Sequence, residues 1–160
     1  MVILLMGVSG VGKTTVGQAL AQELHWRFAD ADSFHSAANI AKMRAGIPLD
    51  DADRAPWLAA LHDAIAGWLA AHESVVLACS ALKESYRKQL VISPEVKLVF
   101  LHADYKVIAE WMKVRHGHYM NPDLLKSQFD TLEPPKDAIS IDTDAPIEKV
   151  VHAICDALGI

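Results

Sequence analysis

Short apolar runs alternate with stretches of helical periodicity along most of the chain. Five runs predict strands, at Val2–Met6, Arg27–Ala29, Val75–Cys79, Lys97–His102 and Ala138–Ile141. Between them, apolar residues at helical spacing predict helices over residues 13–25, 56–71, 82–91, 105–114 and 146–158, and Asn121-Pro122 predicts one more helix start. The runs at 75–78 and 98–101 are apolar on both faces, as in a parallel sheet covered by helices on both sides. The pattern therefore predicts an α/β fold built from right-handed βαβ units.

Two connections between the predicted strands are too long to be plain loops. One covers about residues 33–72, and the other covers about residues 113–137. Long excursions in a compact domain usually serve as lids or binding elements. With 160 residues the chain is expected to form one domain over 1–160. We interpret about 33–72 as an arm that binds an acceptor and about 113–126 as a lid.

Composition and charge narrow the function classes. The formal net charge of −5 disfavours a nucleic-acid partner. No apolar run approaches the roughly 18 residues that a membrane helix needs, and the apolar start is too short for a signal peptide. We therefore expect no membrane association and a cytoplasmic location. Cys79 and Cys155 form no disulfide framework, and zinc-ligand spacing is absent.

A phosphate-binding motif follows the first predicted strand. Gly7-Val-Ser-Gly-Val-Gly-Lys-Thr14 matches G-x-x-x-x-G-K-[ST] in full and leads into a helix, as that motif requires. Its glycines allow close backbone approach, its N–H groups can hold phosphate oxygens, the lysine supplies a cation and the threonine hydroxyl can bind Mg²⁺. The predicted nucleotide-binding residues are Gly7, Val8, Ser9, Gly10, Val11, Gly12, Lys13, Thr14 and Thr15.

A pair of carboxylates ends the second predicted strand. Asp30 and Asp32 lie on the same side of an extended chain, so one could hold a metal-bound water while the other faces the acceptor. A solvated turn with helix-capping aspartates is the alternative. The N-K-x-D guanine motif of GTPases is absent, and the chain is too short for a large ATPase. Small kinases of metabolites or nucleotides remain.

Three further stretches offer candidate acceptor and lid residues. The polar stretch 33–57 includes His35 and Arg54, and the segment after the third strand includes Ser80, Lys83 and Arg87. Ligands of open α/β sheets bind beyond the carboxyl ends of the strands, where this second segment lies. The locally basic stretch 113–120 offers Arg115 for the charge on a transferred phosphoryl group, and His118. The alternatives are a solvated helical hairpin for 33–57 and exposed histidines in 113–120.

Several blocks in this order resemble the gluconokinase family. They are Gly7–Thr14, Asn39-Ile-Ala-Lys-Met43, the segment 46–58, Cys79-Ser-Ala-Leu-Lys83, Arg115-His-Gly-His118 and the segment 125–134. The chain departs from the usual family pattern at Val11, Ala31 and Ser36. The resemblance implies a three-layer αβα P-loop fold whose five-stranded parallel sheet has the order 2-3-1-4-5, with an acceptor arm and a lid. It also implies Mg²⁺- and ATP-dependent phosphorylation of D-gluconate to 6-phosphogluconate, usually in a homodimer.

This resemblance leads to a hypothesis about the role of each candidate. Lys13, Asp32 and Arg115 would be catalytic, and Thr14 and, through a water, Asp30 would hold Mg²⁺. The acceptor would be bound by Asp32, His35, Arg54, Ser80, Lys83, Arg87 and His118, and the cation that meets its carboxylate is left open among Arg54, Lys83 and Arg87.

Three other functions compete with this hypothesis. A shikimate kinase would need a triple-glycine loop where Cys79-Ser80-Ala81 stands, and a nucleoside-monophosphate kinase would leave the block 79–83 unexplained. A nucleotide-sensing module is the third alternative, because intact phosphate-site residues do not by themselves establish turnover.

Overall fold

One five-stranded parallel sheet organises the computed structural model, which describes residues 1–114 and 122–160. Its strands are β1 (Val2–Met6), β2 (Arg27–Asp30), β3 (Val75–Ala78), β4 (Val96–His102) and β5 (Ile139–Asp142). They lie in the order β2-β3-β1-β4-β5, and every neighbouring pair is parallel. The predicted α/β class and strand order are confirmed.

The helices within the described residues connect these strands. They are α1 (Lys13–Leu24), α2 (Ala37–Arg44), α3 (Asp51–Ala70), α4 (Glu84–Leu90), α5 (Tyr105–Val114), α6 (Pro122–Thr131) and α7 (Ile147–Leu158). None of these helices is long and apolar enough to cross a membrane. Half of the predicted lid falls on 115–121, so the predictions for Arg115, His118 and the cap at Asn121 lie outside the described residues.

The central strand β1 supplies a core on each side of the sheet. Its five side chains are fully buried, and alternate residues point to opposite faces. Ile3 and Leu5 belong to the apolar cluster that α1 and α7 cover, whereas Val2, Leu4 and Met6 belong to the cluster that α3 covers. Burial on both faces explains why the strand is a continuous apolar run rather than an alternating one.

The connection between β2 and β3 is mostly helical. A short 3₁₀ helix (Ala31–Phe34) leads into α2, where the Ser36 side chain accepts the Asn39 N–H at 3.1 Å. Helix α3 begins at Asp51, so the prediction that it begins at residue 56 is wrong. Asp50 and Asp53 form a reciprocal capping box that satisfies the first free N–H groups, and Pro56 lies inside the helix.

Candidate functional site

The loop between β1 and α1 has a backbone that only small residues can follow. Gly7, Gly10 and Gly12 all have positive φ, at 150°, 83° and 104°. A Cβ on Gly7 would lie 2.5 Å from the Leu101 carbonyl oxygen, and one on Gly10 would lie 3.1 Å from the Met112 sulfur. The backbone clash at Gly7 and the positive φ angles at all three positions favour glycine and leave a backbone surface that can approach phosphate closely.

Lys13 occupies the mouth of this loop. Its Nζ donates hydrogen bonds to the carbonyl oxygens of Gly7 at 2.8 Å and Val8 at 3.0 Å. Burial lowers the pKa of the Lys13 ammonium from 10.5 to about 8, against the opposing effect of Cys79, Asp32 and Asp30. The structure thus holds a desolvated amine inside the loop. An incoming phosphate would favour the protonated, positively charged form of this amine.

Asp30 links the end of β2 to the start of α1. Its Oδ2 accepts the Thr14 hydroxyl at 3.3 Å, and its Oδ1 accepts the Asp32 N–H at 2.9 Å. The capping alternative therefore holds for Asp30, which caps the 3₁₀ helix and also reaches Thr14. The pKa of the Asp32 carboxyl is raised because the surrounding protein desolvates it and Asp30 lies close, although Lys13 and His35 act in the opposite direction.

The oxygen ligands that Thr14 and Asp30 offer fit Mg²⁺, which prefers hydroxyl, carboxylate and phosphate oxygens. Within 1–114 and 122–160, no group of three or more His, Cys, Asp or Glu side chains could hold a metal ion alone. The phosphates and water would therefore have to supply most of the ligands, as is usual for Mg²⁺ in kinases.

His35 and Trp57 form one wall beside Asp32. Their rings stack with centroids 4.4 Å apart and planes 10° from parallel. The Trp57 Nε1–H donates to the Ala31 carbonyl oxygen at 2.7 Å, which ties α3 to the turn after β2. Burial and the Arg54 charge lower the pKa of His35, whereas Asp32 acts to raise it. The arm thus brings Arg54 and Asp32 into electrostatic contact with His35.

Lys83 and Arg54 both contact Tyr86, but only Lys83 is paired. Lys83 Nζ lies 3.0 Å from Asp51 Oδ1, which also accepts the Tyr86 hydroxyl. Arg54 donates to the Tyr86 oxygen at 3.2 Å, and both cations lie over the Tyr86 ring. In the part of the chain that the structure describes, Arg54 forms no salt bridge. Of the three predicted acceptor cations, Arg54 is therefore the one that neither a salt bridge nor a backbone carbonyl engages in these ranges, although its charge also helps to lower the pKa of Asp51.

Arg87 is buried and turned toward backbone carbonyls. Its buried guanidinium donates to the carbonyl oxygens of Ala81 at 2.9 Å, Leu82 at 3.0 Å and Glu133 at 2.7 Å. Burial lowers its pKa below the usual value. With its donors turned to three backbone carbonyls, it braces the loop after β3 against the segment after α6, so we do not assign it to the acceptor.

Ser80 lies at the edge of the phosphate loop. It follows β3, is half-buried, and its carbonyl oxygen accepts the Gly7 N–H at 3.2 Å. Ser80 therefore lies next to the loop, and this hydrogen bond joins the ends of β1 and β3.

Two amide side chains enter the site although the sequence analysis assigned them no role. Gln128 of α6 accepts the Ser9 N–H of the phosphate loop at 2.6 Å. Asn39 of α2 lies within hydrogen-bond distance of the His35 ring at 3.3 Å. Both residues lie inside the blocks that carry the family resemblance, and that is the signal that could have marked them.

A cavity of about 490 Å³ opens beside the phosphate loop, between that loop and the helices α5 and α7. Its walls come from the loop, α5, the segment after β5 and α7, with lining residues that include Gly12, Trp111, Thr143, Ala145 and Ile147. The cavity is largely apolar in its lining residues and continuous with the loop, so it would suit the flat base of a nucleotide whose phosphates are bound at Lys13.

Comparisons with known proteins agree with this architecture. The model of the shikimate kinase family matches residues 9–158. The gluconokinase of Gluconobacter oxydans is 45% identical over 150 residues, covering 92% of this chain and 80% of that protein. The thermoresistant gluconokinase of Escherichia coli is 39% identical over 162 residues, covering 98% and 93%. The crystal structure of a gluconokinase from Sinorhizobium meliloti has a TM-score of 0.88 at 42% identity, covering 98% of this chain and 90% of that one.

Proposed function

This chain belongs to the gluconokinase family, and from that premise we propose that it transfers the γ-phosphoryl group of ATP to the 6-hydroxyl of D-gluconate. The products are 6-phospho-D-gluconate and ADP. The observation that carries the proposal is that the phosphate loop and the carboxylates after β2 meet at one edge of the sheet. Lys13 in its phosphate loop lies close enough to Asp32 for each charge to shift the other's pKa.

In this proposal the chain's own residues act mainly by positioning and by charge, as phosphoryl transfer requires. The loop N–H groups and Lys13 hold the phosphates. Asp32 accepts the proton of the acceptor hydroxyl while that oxygen bonds to phosphorus and the bond from phosphorus to ADP breaks. Thr14 and, through a water, Asp30 would hold Mg²⁺, which neutralises charge on the phosphate oxygens when bound. Arg115 stays a prediction for the cation over the transferred group.

Arg54 is the residue we propose for the gluconate carboxylate. Lys83 is already paired with Asp51, and Arg87 is turned to carbonyl oxygens, whereas Arg54 forms no salt bridge in the described ranges and donates only to the Tyr86 hydroxyl there. His35 and Ser80 would contact the acceptor's hydroxyls, and His118, outside the described residues, stays a prediction. The homodimer expected from the resemblance and the cytoplasmic location expected from the chain's apolar pattern also stay proposals; size-exclusion chromatography with light scattering tests the dimer.

A coupled assay of ADP release tests the function directly. ATP and Mg²⁺ are supplied with D-gluconate, shikimate, AMP or no acceptor, and Lys13→Met is the matched inactive variant. We expect release with gluconate alone, and a loss of several orders of magnitude in Lys13→Met, since in this proposal the lysine would contact the reacting phosphates. Release with shikimate or AMP instead would reassign the acceptor, and ATP binding without acceptor-dependent release would favour a nucleotide sensor.

A further inference from the structure

Asn39 contacts the neighbouring segments through its backbone and side chain. This buried residue uses its backbone N–H for the Ser36 cap, and its side-chain Nδ2 lies 2.8 Å from the Asp53 carbonyl oxygen and 3.3 Å from Nδ1 of His35. The amide thus joins the start of α2, the first turn of α3 and the imidazole ring.

The contact with Asp53 fixes which way the amide faces. A backbone carbonyl oxygen only accepts hydrogen bonds, so the Asn39 atom that faces it must be the NH₂ group. That group has two hydrogens, and its second one is available to the His35 ring at Nδ1. A ring nitrogen that accepts a hydrogen bond carries no proton, so the single proton of a neutral His35 lies on Nε2.

Two other features fix the plane of this ring and favour its neutral form. Stacking on Trp57 sets the plane, and Trp57 is itself held by its bond to the Ala31 carbonyl oxygen. Burial and the nearby Arg54 lower the pKa of His35, against the effect of Asp32. Within the described residues no hydrogen bond involves Nε2, so its N–H is available to a ligand.

We propose that Asn39 is a positioning residue that holds His35 as the Nε2–H tautomer, so that the ring presents a hydrogen-bond donor beside Asp32 to an oxygen of the polyhydroxy acid. This inference rests on the proposed function. It gives His35 and Asp32 complementary roles: the histidine donates to an acceptor oxygen while the carboxylate accepts from the reacting hydroxyl.

Imidazole ¹⁵N spectroscopy of the wild-type protein tests the tautomer without any turnover. Long-range ¹H–¹⁵N correlations are recorded at neutral pH on ¹⁵N-labelled protein, and the His35 signals are assigned by their loss in His35→Gln. We expect a protonated Nε2 and an unprotonated Nδ1. A protonated Nδ1, alone or together with Nε2, would overturn the proposal.

Kinetics of two matched variants of His35 test the use of that proton. The amide nitrogen of glutamine can reach the position of Nε2, whereas that of asparagine reaches only the position of Nδ1. We expect His35→Gln to keep a KM for gluconate near the wild-type value, and His35→Asn to raise it about 3- to 10-fold, the worth of one hydrogen bond. Equal increases in both variants would mean that the ring serves only to pack against Trp57.

Asn39→Asp completes the test, because a carboxylate at this position accepts rather than donates. We expect the His35 proton to move to Nδ1 and the KM for gluconate to rise about 3- to 10-fold, with an unchanged KM for ATP. A proton that stays on Nε2 in Asn39→Asp would contradict the role of Asn39. If this variant does not fold, the wild-type spectrum and the kinetics of the two His35 variants still test the proposal. A wild-type protein that releases no ADP with gluconate would refute the proposed function, whereas an active enzyme with the Nδ1–H tautomer would refute only this inference.

Discussion

Gly17 sets how closely α1 approaches the sheet. It is buried in α1, one turn after Lys13, and a Cβ added there would lie 2.6 Å from Cε2 and 3.2 Å from Cδ2 of Phe28. Carbon atoms in contact prefer about 3.5–4.0 Å. Gly17→Ala must therefore push either the Phe28 ring or the helix that carries the phosphate loop's lysine.

The magnitude follows from a comparison with Gly67, a second helical glycine. A Cβ on Gly67, in α3, meets nothing within 4 Å, so Gly67→Ala should stabilise the protein by about 0.5–1 kcal/mol through helix propensity. Gly17→Ala has the same propensity gain, offset by overpacking of about 1–3 kcal/mol. In the difference between the two variants the propensity cancels, which leaves about 1–3 kcal/mol in favour of Gly67→Ala.

Urea unfolding followed by circular dichroism measures this difference, and thermal unfolding checks it. For a chain of this size about 1 kcal/mol shifts Tm by roughly 2–4 °C, so the two melting temperatures should differ by about 2–12 °C. The m-values should match, because the same surface is exposed on unfolding. Equal stability of the two variants would refute the claim that close contact with Phe28 requires glycine at position 17.

Three further outcomes follow from single contacts. Because the pKa of Lys13 is lowered to about 8 in the ATP-free protein, its ammonium is lost above that pH and kcat/KM for ATP should fall there; a profile that stays flat up to the ordinary value of 10.5 would contradict this. Arg87→Lys should cost about 1–3 kcal/mol in urea unfolding with an unchanged KM for gluconate, and a raised KM would return Arg87 to the acceptor. Gln128→Ala should speed amide exchange of the Ser9 N–H up to about tenfold by NMR, and an unchanged rate would exclude the bond.

The pattern of the chain predicts the central strands β1 and β3 well because burial on both faces leaves little ambiguity. Runs such as Val75–Ala78 have no polar position, and the structure buries all four side chains. The sheet order came from the family resemblance and not from the pattern, which does not say which strands become neighbours. The start of α3 was missed because Pro56 resembles a first helical residue, whereas the capping box at Asp50 and Asp53 determines it.

Within the site, the sequence does not reveal which group each side chain contacts. Lys83 and Arg87 look equivalent in the sequence because they lie four residues apart on one helix face. In the structure, Arg87 donates to a carbonyl oxygen 46 residues away, whereas Lys83 pairs with Asp51. Such long-range contacts depend on how whole elements pack. Asn39 and Gln128 were missed because uncharged amides have no pattern of their own, although their geometry is informative once the structure fixes it.

The central place of β1 in the sheet also shapes how the protein must assemble during synthesis. Both neighbours of this uncharged apolar strand come much later in the chain, the first of them at Val75, about 70 residues after Met6. At roughly 5–20 residues per second, the strand waits about 4–14 s for its first partner. In that interval its unpaired edges are open to pairing with other chains, the hazard that apolar β segments carry. The strand that anchors the phosphate loop is therefore also the segment that most needs protection on the ribosome.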